Sequence, residues 1–117
     1  MSSTRDLDVI RHILRHCGNI AASRARFGDD FEIFANDLDY YSSVAMGIFQ
    51  IGELTGHLSD DFKMTYPGVP WHQIKGLRNV VAHRYEQIDT EILWNTVQER
   101  VPELADYCNI ILAERQS

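Results

Sequence analysis

The stretch from residue 38 to residue 58, LDYYSSVAMGIFQIGELTGHL, decides how this chain folds. Its apolar residues recur every three or four positions, and this spacing places them on one face of an α-helix. Each glycine inside a helix costs about 1 kcal/mol relative to alanine, so Gly47, Gly52 and Gly56 indicate close approach of a neighbouring helix. The predicted buried stripe consists of Leu38, Tyr41, Val44, Ala45, Ile48, Ile51, Gly52, Thr55 and Leu58.

The segments on either side of this stretch also have helical patterns. Apolar residues from Leu7 to Ala21 predict an earlier helix, which Gly28-Asp29-Asp30 should end. After the stretch, Ser59 is placed to cap a short helix. Pro67-Gly68-Val69-Pro70 then forms a rigid connector, because residues before proline are pushed out of the α region.

The last part of the chain predicts two more helical segments. One runs from Trp71 to about Tyr85, and the other carries an apolar stripe from Leu93 to Ile111. Pro102 lies inside that stripe and should kink the helix or split it in two. No strand-like alternation interrupts these patterns. The predicted fold is therefore all-α, an antiparallel up-and-down helical bundle made of residues 1–117 as a single domain.

The composition indicates an ordinary soluble domain. The 117 residues are 44% hydrophobic and 24% charged, which suits one core and leaves no room for two. No apolar run approaches the ~20 residues of a membrane span, and the N-terminus lacks the features of a signal peptide. We therefore expect a cytoplasmic protein with no membrane contact, in which Cys17 and Cys108 are buried, reduced thiols.

The net charge of −6 hides an alternation of charged blocks. Residues 29–61 contain eight acids and no Lys or Arg, and residues 86–117 contain seven acids against two Arg. Between them, residues 62–85 contain no Asp or Glu, and their basic residues are Lys63, Lys75, Arg78 and Arg84. This block could face an anion, although a short chain can show the same pattern by chance. The acidic total argues against nonspecific coating of nucleic acids but permits contact at one cleft.

Within the basic block lies the motif Arg78-Asn79-Val80-Val81-Ala82-His83-Arg84-Tyr85. RNA transesterification without a metal needs a base and an acid for two protons, and a cation for the charge on phosphorus. Histidine titrates near neutral pH, and arginine grips phosphate oxygens with two N–H groups. One motif supplies only one histidine, so a homodimer would complete the site.

Spacing alone is a weak signal for this chemistry. Residues five apart on a helix are about 140° from each other, so Arg78 and His83 share a face only where the helix ends or bends. The same residues also fit a purely structural interpretation. In that interpretation Arg78 is a solvated surface charge and His83 interacts with the C-terminus of its helix.

Several short patterns together resemble the HepT-like group of HEPN-domain toxins. They are Ile51-Gly52-Glu53, Pro67-Gly68-Val69-Pro70-Trp71, Gly76-Leu77-Arg78-Asn79 and His83-Arg84-Tyr85, followed by Asp89 and Trp94. The similarity in order and spacing covers roughly residues 5–112, and the motif itself shows no departure from the family pattern.

The resemblance implies a helical, HEPN-like dimer that acts as the toxin of a bacterial toxin–antitoxin pair. Such proteins resemble metal-independent endoribonucleases whose catalytic residues would here be Arg78 and His83. The partner implied is a minimal nucleotidyltransferase antitoxin that uses ATP and Mg and transfers AMP to Tyr85. The added bulk and negative charge would block an RNA backbone. The toxin itself is expected to need no cofactor and no metal.

Other polar residues have two interpretations each. Glu53 could orient Arg78 or His83, or be an ordinary surface carboxylate, and Asn79 could bind substrate or hold Arg78. Lys75 and Arg84 would steer an RNA backbone. His12 and His16 have the spacing of metal ligands on a helix, but a surface pair is favoured because no further His or Cys ligand lies close by in the sequence. Trp71 and Trp94 fall on apolar positions and are assigned to the core rather than to base stacking.

Two hypotheses of different classes follow. In the first, the chain is a homodimeric endoribonuclease that leaves 2′,3′-cyclic phosphate ends on RNA. In the second, it is a catalytically silent helical binding module that complexes with a nucleotidyltransferase and is modified by it. RNA cleavage by the isolated protein distinguishes them.

Overall fold

The computed structural model describes residues 4–84 and 89–116, and for Val80, His83, Arg84 and Gln116 it describes the backbone alone. Every regular element in this part of the chain is helical, as the sequence predicts. In chain order, the helices are α1 (Thr4–Phe27), α2 (Phe31–Asn36), α3 (Leu38–Thr55), α4 (Asp60–Thr65), α5 (Trp71–Arg84), α6 (Thr90–Asn95), a π-helical turn (Thr96–Arg100) and α7 (Val101–Gln116).

The long helices pack as antiparallel neighbours. The Ser23 hydroxyl of α1 lies 3.2 Å from that of Ser43 in α3, whereas Asp6 at the start of α1 binds Ser59 beyond the end of α3. The end of α1 therefore lies beside the start of α3, and the start of α1 beside the end of α3. The pair of α3 and α5 is also antiparallel, because Gly52 lies against Arg78 while the later Gly56 lies against the earlier Lys75. This arrangement confirms the antiparallel order for α1, α3 and α5.

The buried interior follows most positions of the predicted stripes, although Leu7 and Tyr41 are only half-buried and Ala21 is exposed. The side chains of Ile10, Ile13, Val44, Ile48 and Ile51 are all at most 1% exposed. The prediction for Leu38 is wrong: this residue is 74% exposed, and Tyr40 is buried in its place against Phe34 and Trp94. The reason is that α3 begins only at Leu38, capped by Asp37, so its first turn packs against α2. Both tryptophans, Trp71 and Trp94, are buried as predicted.

The predicted helix boundaries are largely confirmed. Gly28 ends α1 with a φ of +117°, a conformation that side chains disfavour, and Ser59 caps α4. Pro102 splits the last helix as expected. Because proline has no N–H for the carbonyl of Gln98, the turn before it widens, and the Val101 N–H bonds the Thr96 carbonyl instead.

Both cysteines lie in the core, as predicted. Burial raises the pKa of the Cys17 thiol to about 12, and burial together with the nearby Cys17 raises the pKa of Cys108 to about 12 as well. An ordinary thiol has a pKa near 8.5, and the thiolate is the reactive form.

We therefore expect the native protein to react very slowly with a chromogenic aromatic disulfide at pH 8. Two thiols per chain should react at once when the protein is unfolded in guanidinium chloride. Rapid reaction of either thiol under native conditions would contradict the buried position of that side chain.

Candidate active site

The site is built where α3 and α5 come closest, at Gly52. A Cβ atom placed on Gly52 would lie 2.7 Å from the backbone nitrogen of Arg78 and 2.8 Å from its Cβ atom. Both distances are shorter than van der Waals contact, so only glycine allows this approach. The predicted close approach of a neighbouring helix is confirmed here, and its consequence is that the Arg78 backbone rests directly on α3.

Three side chains then hold the guanidinium of Arg78. Its Nε–H donates to Glu53 Oε1, and its Nη1 donates to Asn79 Oδ1 at 3.2 Å. The Arg78 Cζ atom lies 5.5 Å from the centre of the Phe49 ring, which adds a cation–π contact. The sequence left two roles open for Glu53 and two for Asn79. The structure shows that both side chains contact Arg78.

The contact with Glu53 serves orientation more than stability. The side chains of Arg78 and Glu53 are 39% and 40% exposed, and an ion pair so open to solvent contributes at most about 1 kcal/mol. Its geometric effect is larger, because pairing at Nε fixes which edge of the guanidinium faces outward. Among the described residues these contacts use Nε–H and one Nη1 hydrogen, which leaves the Nη2 group able to bind a phosphate oxygen.

The motif residues from Val80 to Arg84 form the end of α5. The helix continues without a break to Arg84, so positions 78 and 83 differ by about 140° around its axis. Position 83 is instead an i, i+4 neighbour of Asn79. The side chains of His83 and Arg84, and the whole of Tyr85, lie outside the described residues, so their assigned roles stay predictions.

Lys75 lies on α5 one turn before Arg78, whereas His12 and His16 lie on α1. Lys75 is exposed, and its Cε atom lies 3.6 Å from where a Cβ of Gly56 would be, at the end of α3. For His16, burial first and then the charges of Arg15 and His12 lower the pKa. In the ranges 4–84 and 89–116, no group of three or more His, Cys, Asp or Glu side chains is placed to hold a metal ion.

The sequence analysis missed Phe49. Phe49 lies outside the buried stripe of α3, one turn before Glu53, and is half-buried. An aromatic side chain outside the core stripe was the only hint in the sequence that Phe49 has a role at the site. Without knowing that α5 crosses at Gly52, nothing indicates that the ring lies under Arg78.

No helix in the described part of the chain is long and apolar enough to cross a membrane.

Comparison with known proteins adds a family match. A family model described as Ribonuclease HepT-like matches residues 7–111. "Putative RNase MJ1380" of Methanocaldococcus jannaschii is 34% identical over 82 residues, which cover 70% of this chain and 75% of that protein.

Two further relatives carry similar names. "Probable ribonuclease HepT" of Thermococcus cleftensis is 34% identical over 74 residues, 63% of this chain and 67% of the relative. "Putative RNase TTE0752" of Caldanaerobacter subterraneus is 29% identical over 107 residues, 92% of this chain and 94% of the relative. No solved structure matches the chain significantly.

Proposed function

Because the chain belongs to the ribonuclease HepT-like family, we propose that it is an endoribonuclease that cleaves RNA without a metal ion. The observation that carries this proposal is the guanidinium of Arg78, held by Glu53 and Asn79 with its Nη2 group able to receive a phosphate. The motif-bearing segment favours the same substrate, since residues 62–84 contain four basic residues and no carboxylate.

The proposed reaction is transesterification. His83 takes the proton of the 2′-hydroxyl as its oxygen bonds to the adjacent phosphorus. The bond from phosphorus to the 5′-oxygen breaks, and a second, protonated imidazole donates its proton to that leaving oxygen. Arg78 stabilises the negative charge that builds up on the phosphoryl oxygens. The products are a 2′,3′-cyclic phosphate and a 5′-hydroxyl end.

The second imidazole is proposed to come from another copy of the chain. One motif carries one histidine, and the unbroken α5 keeps positions 78 and 83 on different faces of one copy. In a two-fold dimer the partner subunit's His83 would supply the missing acid. This part of the proposal is tested by the mass of the protein in solution, where a monomer at all concentrations would contradict it.

Product analysis tests the reaction itself. RNA incubated with the purified protein in excess EDTA should yield fragments that end in 2′,3′-cyclic phosphate and begin with 5′-hydroxyl, as identified by mass spectrometry. The same sequence with 2′-O-methyl groups should stay intact, because it lacks the attacking hydroxyl. Cleavage that requires Mg²⁺, or that also cuts the 2′-O-methyl strand, would contradict the mechanism.

We further propose that the chain is the toxin of a toxin–antitoxin pair and that a minimal nucleotidyltransferase neutralises it. In that step the Tyr85 oxygen attacks the α-phosphorus of ATP, pyrophosphate leaves, and the phenolic proton is released. The support is the sequence resemblance and the place of Tyr85 in the sequence, directly after Arg84, the last described residue of α5. A phosphodiester charge added there would compete with RNA for the basic residues.

Co-expression with an adjacent nucleotidyltransferase gene tests this pairing. Growth arrest is expected for the chain alone and recovery for the pair, with one or more AMP groups on Tyr85 by mass spectrometry. AMP on Tyr85 without any RNA cleavage by the unmodified protein would instead support the silent binding module.

A further inference from the structure

One side of α1 carries a row of basic and polar side chains. They lie within about 100° of one another around the helix and extend along it for about 31 Å. We call this row the basic ridge, and its members are Arg5, His12, Arg15, His16, Asn19 and Arg26. His16 is half-buried and the other five are exposed. The ridge faces away from the core, into which α1 packs through Ile10, Ile13 and Cys17.

The positive charge of the ridge is not neutralised within the described part of the chain. Of the two acids in α1, Asp6 is buried and Asp8 pairs with Arg11 at 2.8 Å. No described carboxylate lies within ion-pair distance of the three ridge arginines. Burial, and then the charges of its two basic neighbours on the ridge, lower the pKa of His16, as expected where like charges are held side by side.

A groove of about 410 Å³ lies between α1 and α3 at the Arg26 end of the ridge. Arg26 lies over the ring of Phe27, with its Cζ atom 5.2 Å from the ring centre. The hydroxyls of Ser23 and Ser43 lie 3.2 Å apart in the same groove, which Asp39 also lines. The guanidinium and the hydroxyls can donate to a phosphate, whereas a carboxylate accepts from a ribose hydroxyl or a base amino group. This mixed lining fits a nucleotide better than a simple anion.

The groove and Arg78 open onto the same surface of the molecule. The exposed side of α3 leads from one to the other over about 15 Å, through residues that lie within about 80° of one another. These residues are Ser43, Met46, Gln50 and Glu53. Ser43 lines the groove, Met46 is 56% exposed, and Glu53 binds Arg78. An RNA chain that lies on the ridge can therefore continue across α3 to the guanidinium.

The chemistry of the ridge favours a nucleic acid over a protein as its partner. The ridge offers hydrogen-bond donors and positive charge but no large apolar side chain, and such side chains form the buried centre of most protein interfaces. Contacts to nucleic-acid phosphates are made by arginine, asparagine and similar donors. Because the chain has a net charge of −6, a polyanion is attracted to a local basic surface and not to the chain as a whole.

We propose that the basic ridge of α1 holds the backbone of the RNA substrate away from the cut, and that the groove takes one of its nucleotides. Arg5, Arg15 and Arg26 each pair with a phosphate, so the ridge adds affinity for long RNA and takes no part in bond breaking. This inference rests on the proposed ribonuclease function and adds to it a second contact surface for the substrate.

The test removes two charges from the ridge without shortening the side chains much. Arg15→Gln and Arg26→Gln are combined in one variant, and Arg100→Gln is the matched control, because Arg100 is an exposed arginine that pairs with Glu103. Glutamine is as good a helix former as arginine, so both proteins should melt close to the unsubstituted one. Binding is measured by fluorescence anisotropy with a 2′-O-methyl RNA oligonucleotide, which binds but is not cut.

The double variant should lower the slope of log affinity against log salt by about 1.4, because each phosphate contact on a single strand contributes about 0.7. Its affinity at low salt should fall at least about tenfold. With a cleavable RNA of the same length, kcat/KM should fall by a similar factor through a higher KM. Arg100→Gln should keep both the slope and the KM.

The groove has its own test. Ala22 lines it and is exposed, so Ala22→Tyr places a bulky, uncharged side chain there. This variant should weaken RNA binding and leave the salt slope unchanged, since no charge is lost. Ala25→Tyr is the matched control, because Ala25 is also exposed but lies about 100° from Arg26 around α1. It should bind RNA as the unsubstituted protein does, and normal binding by Ala22→Tyr would overturn the groove contact.

The possible failures are distinguishable. If the unsubstituted protein cleaves RNA in EDTA and the double variant keeps its affinity and salt slope, the ridge contact is wrong and the ribonuclease proposal stands. If the unsubstituted protein neither binds nor cleaves RNA, both proposals are overturned. If the double variant binds RNA normally but changes the mass of the assembly on size-exclusion chromatography, the ridge contacts a protein, which also overturns the RNA contact.

Discussion

Arg78→Ala is expected to lower the rate of RNA cleavage by about a hundred- to a thousand-fold and to leave the fold intact. The loss follows because a charged donor aimed at the phosphoryl oxygens acts most strongly in the transition state. Stability should change little, since the Arg78 side chain is 39% exposed and its ion pair with Glu53 is open to solvent. The measurement is kcat at saturating RNA, together with the melting temperature.

Two further variants make this result specific. Arg78→Lys keeps the charge but cannot pair with Glu53 through one nitrogen while it presents another to phosphate, so it should recover only part of the activity. Arg100→Ala is the matched control, because Arg100 is an exposed arginine in an ion pair with Glu103 at 3.6 Å. It should leave kcat unchanged. Cleavage at the normal rate by Arg78→Ala would remove Arg78 from the mechanism.

The long helices of this fold could be predicted because their signals are local. The apolar spacing of α1 and α3, the break at Gly28 and the split before Pro102 each depend on residues within a turn or two. The prediction missed α2, whose six residues are too few to show a period. Its only sequence signal is Asp30, which accepts a hydrogen bond from the Glu32 N–H as an N-cap.

The candidate site could be predicted in its residues but not in its contacts. The motif pointed to Arg78, and the sequence offered Glu53 and Asn79 as supports without choosing between their roles. Their contact with Arg78 depends on where α5 crosses α3, and that crossing is fixed by the absence of a side chain at Gly52. A tertiary crossing point has no local periodic signal, so the sequence left the Glu53 pair as one of two alternatives and gave no sign of the Phe49 contact.

Gly52→Ala is expected to reduce both stability and cleavage, because the added methyl group would overlap the backbone of Arg78. With the Cβ atom 2.7 Å from the Arg78 nitrogen, α3 and α5 must move apart. Overpacking of this kind costs about 1–3 kcal/mol, and the better helix propensity of alanine returns at most about 1 kcal/mol. Arg78 moves with α5 away from Glu53, so the guanidinium loses its orientation. Thermal melting and kcat measure the two effects.

Alanine substitutions at two other glycines distinguish a loss of stability from a loss of the Arg78 site. Gly47 is in the same helix, but its added Cβ would meet the Ile20 side chain at 2.9 Å, on the side of α3 that faces α1. Gly47→Ala should lower the melting temperature yet retain cleavage at temperatures where the protein stays folded. Gly18→Ala meets no described atom within 4 Å and should be neutral or stabilising. If Gly52→Ala cleaves RNA as fast as Gly47→Ala does, the close approach of α3 and α5 supports the fold but does not position Arg78 for the reaction.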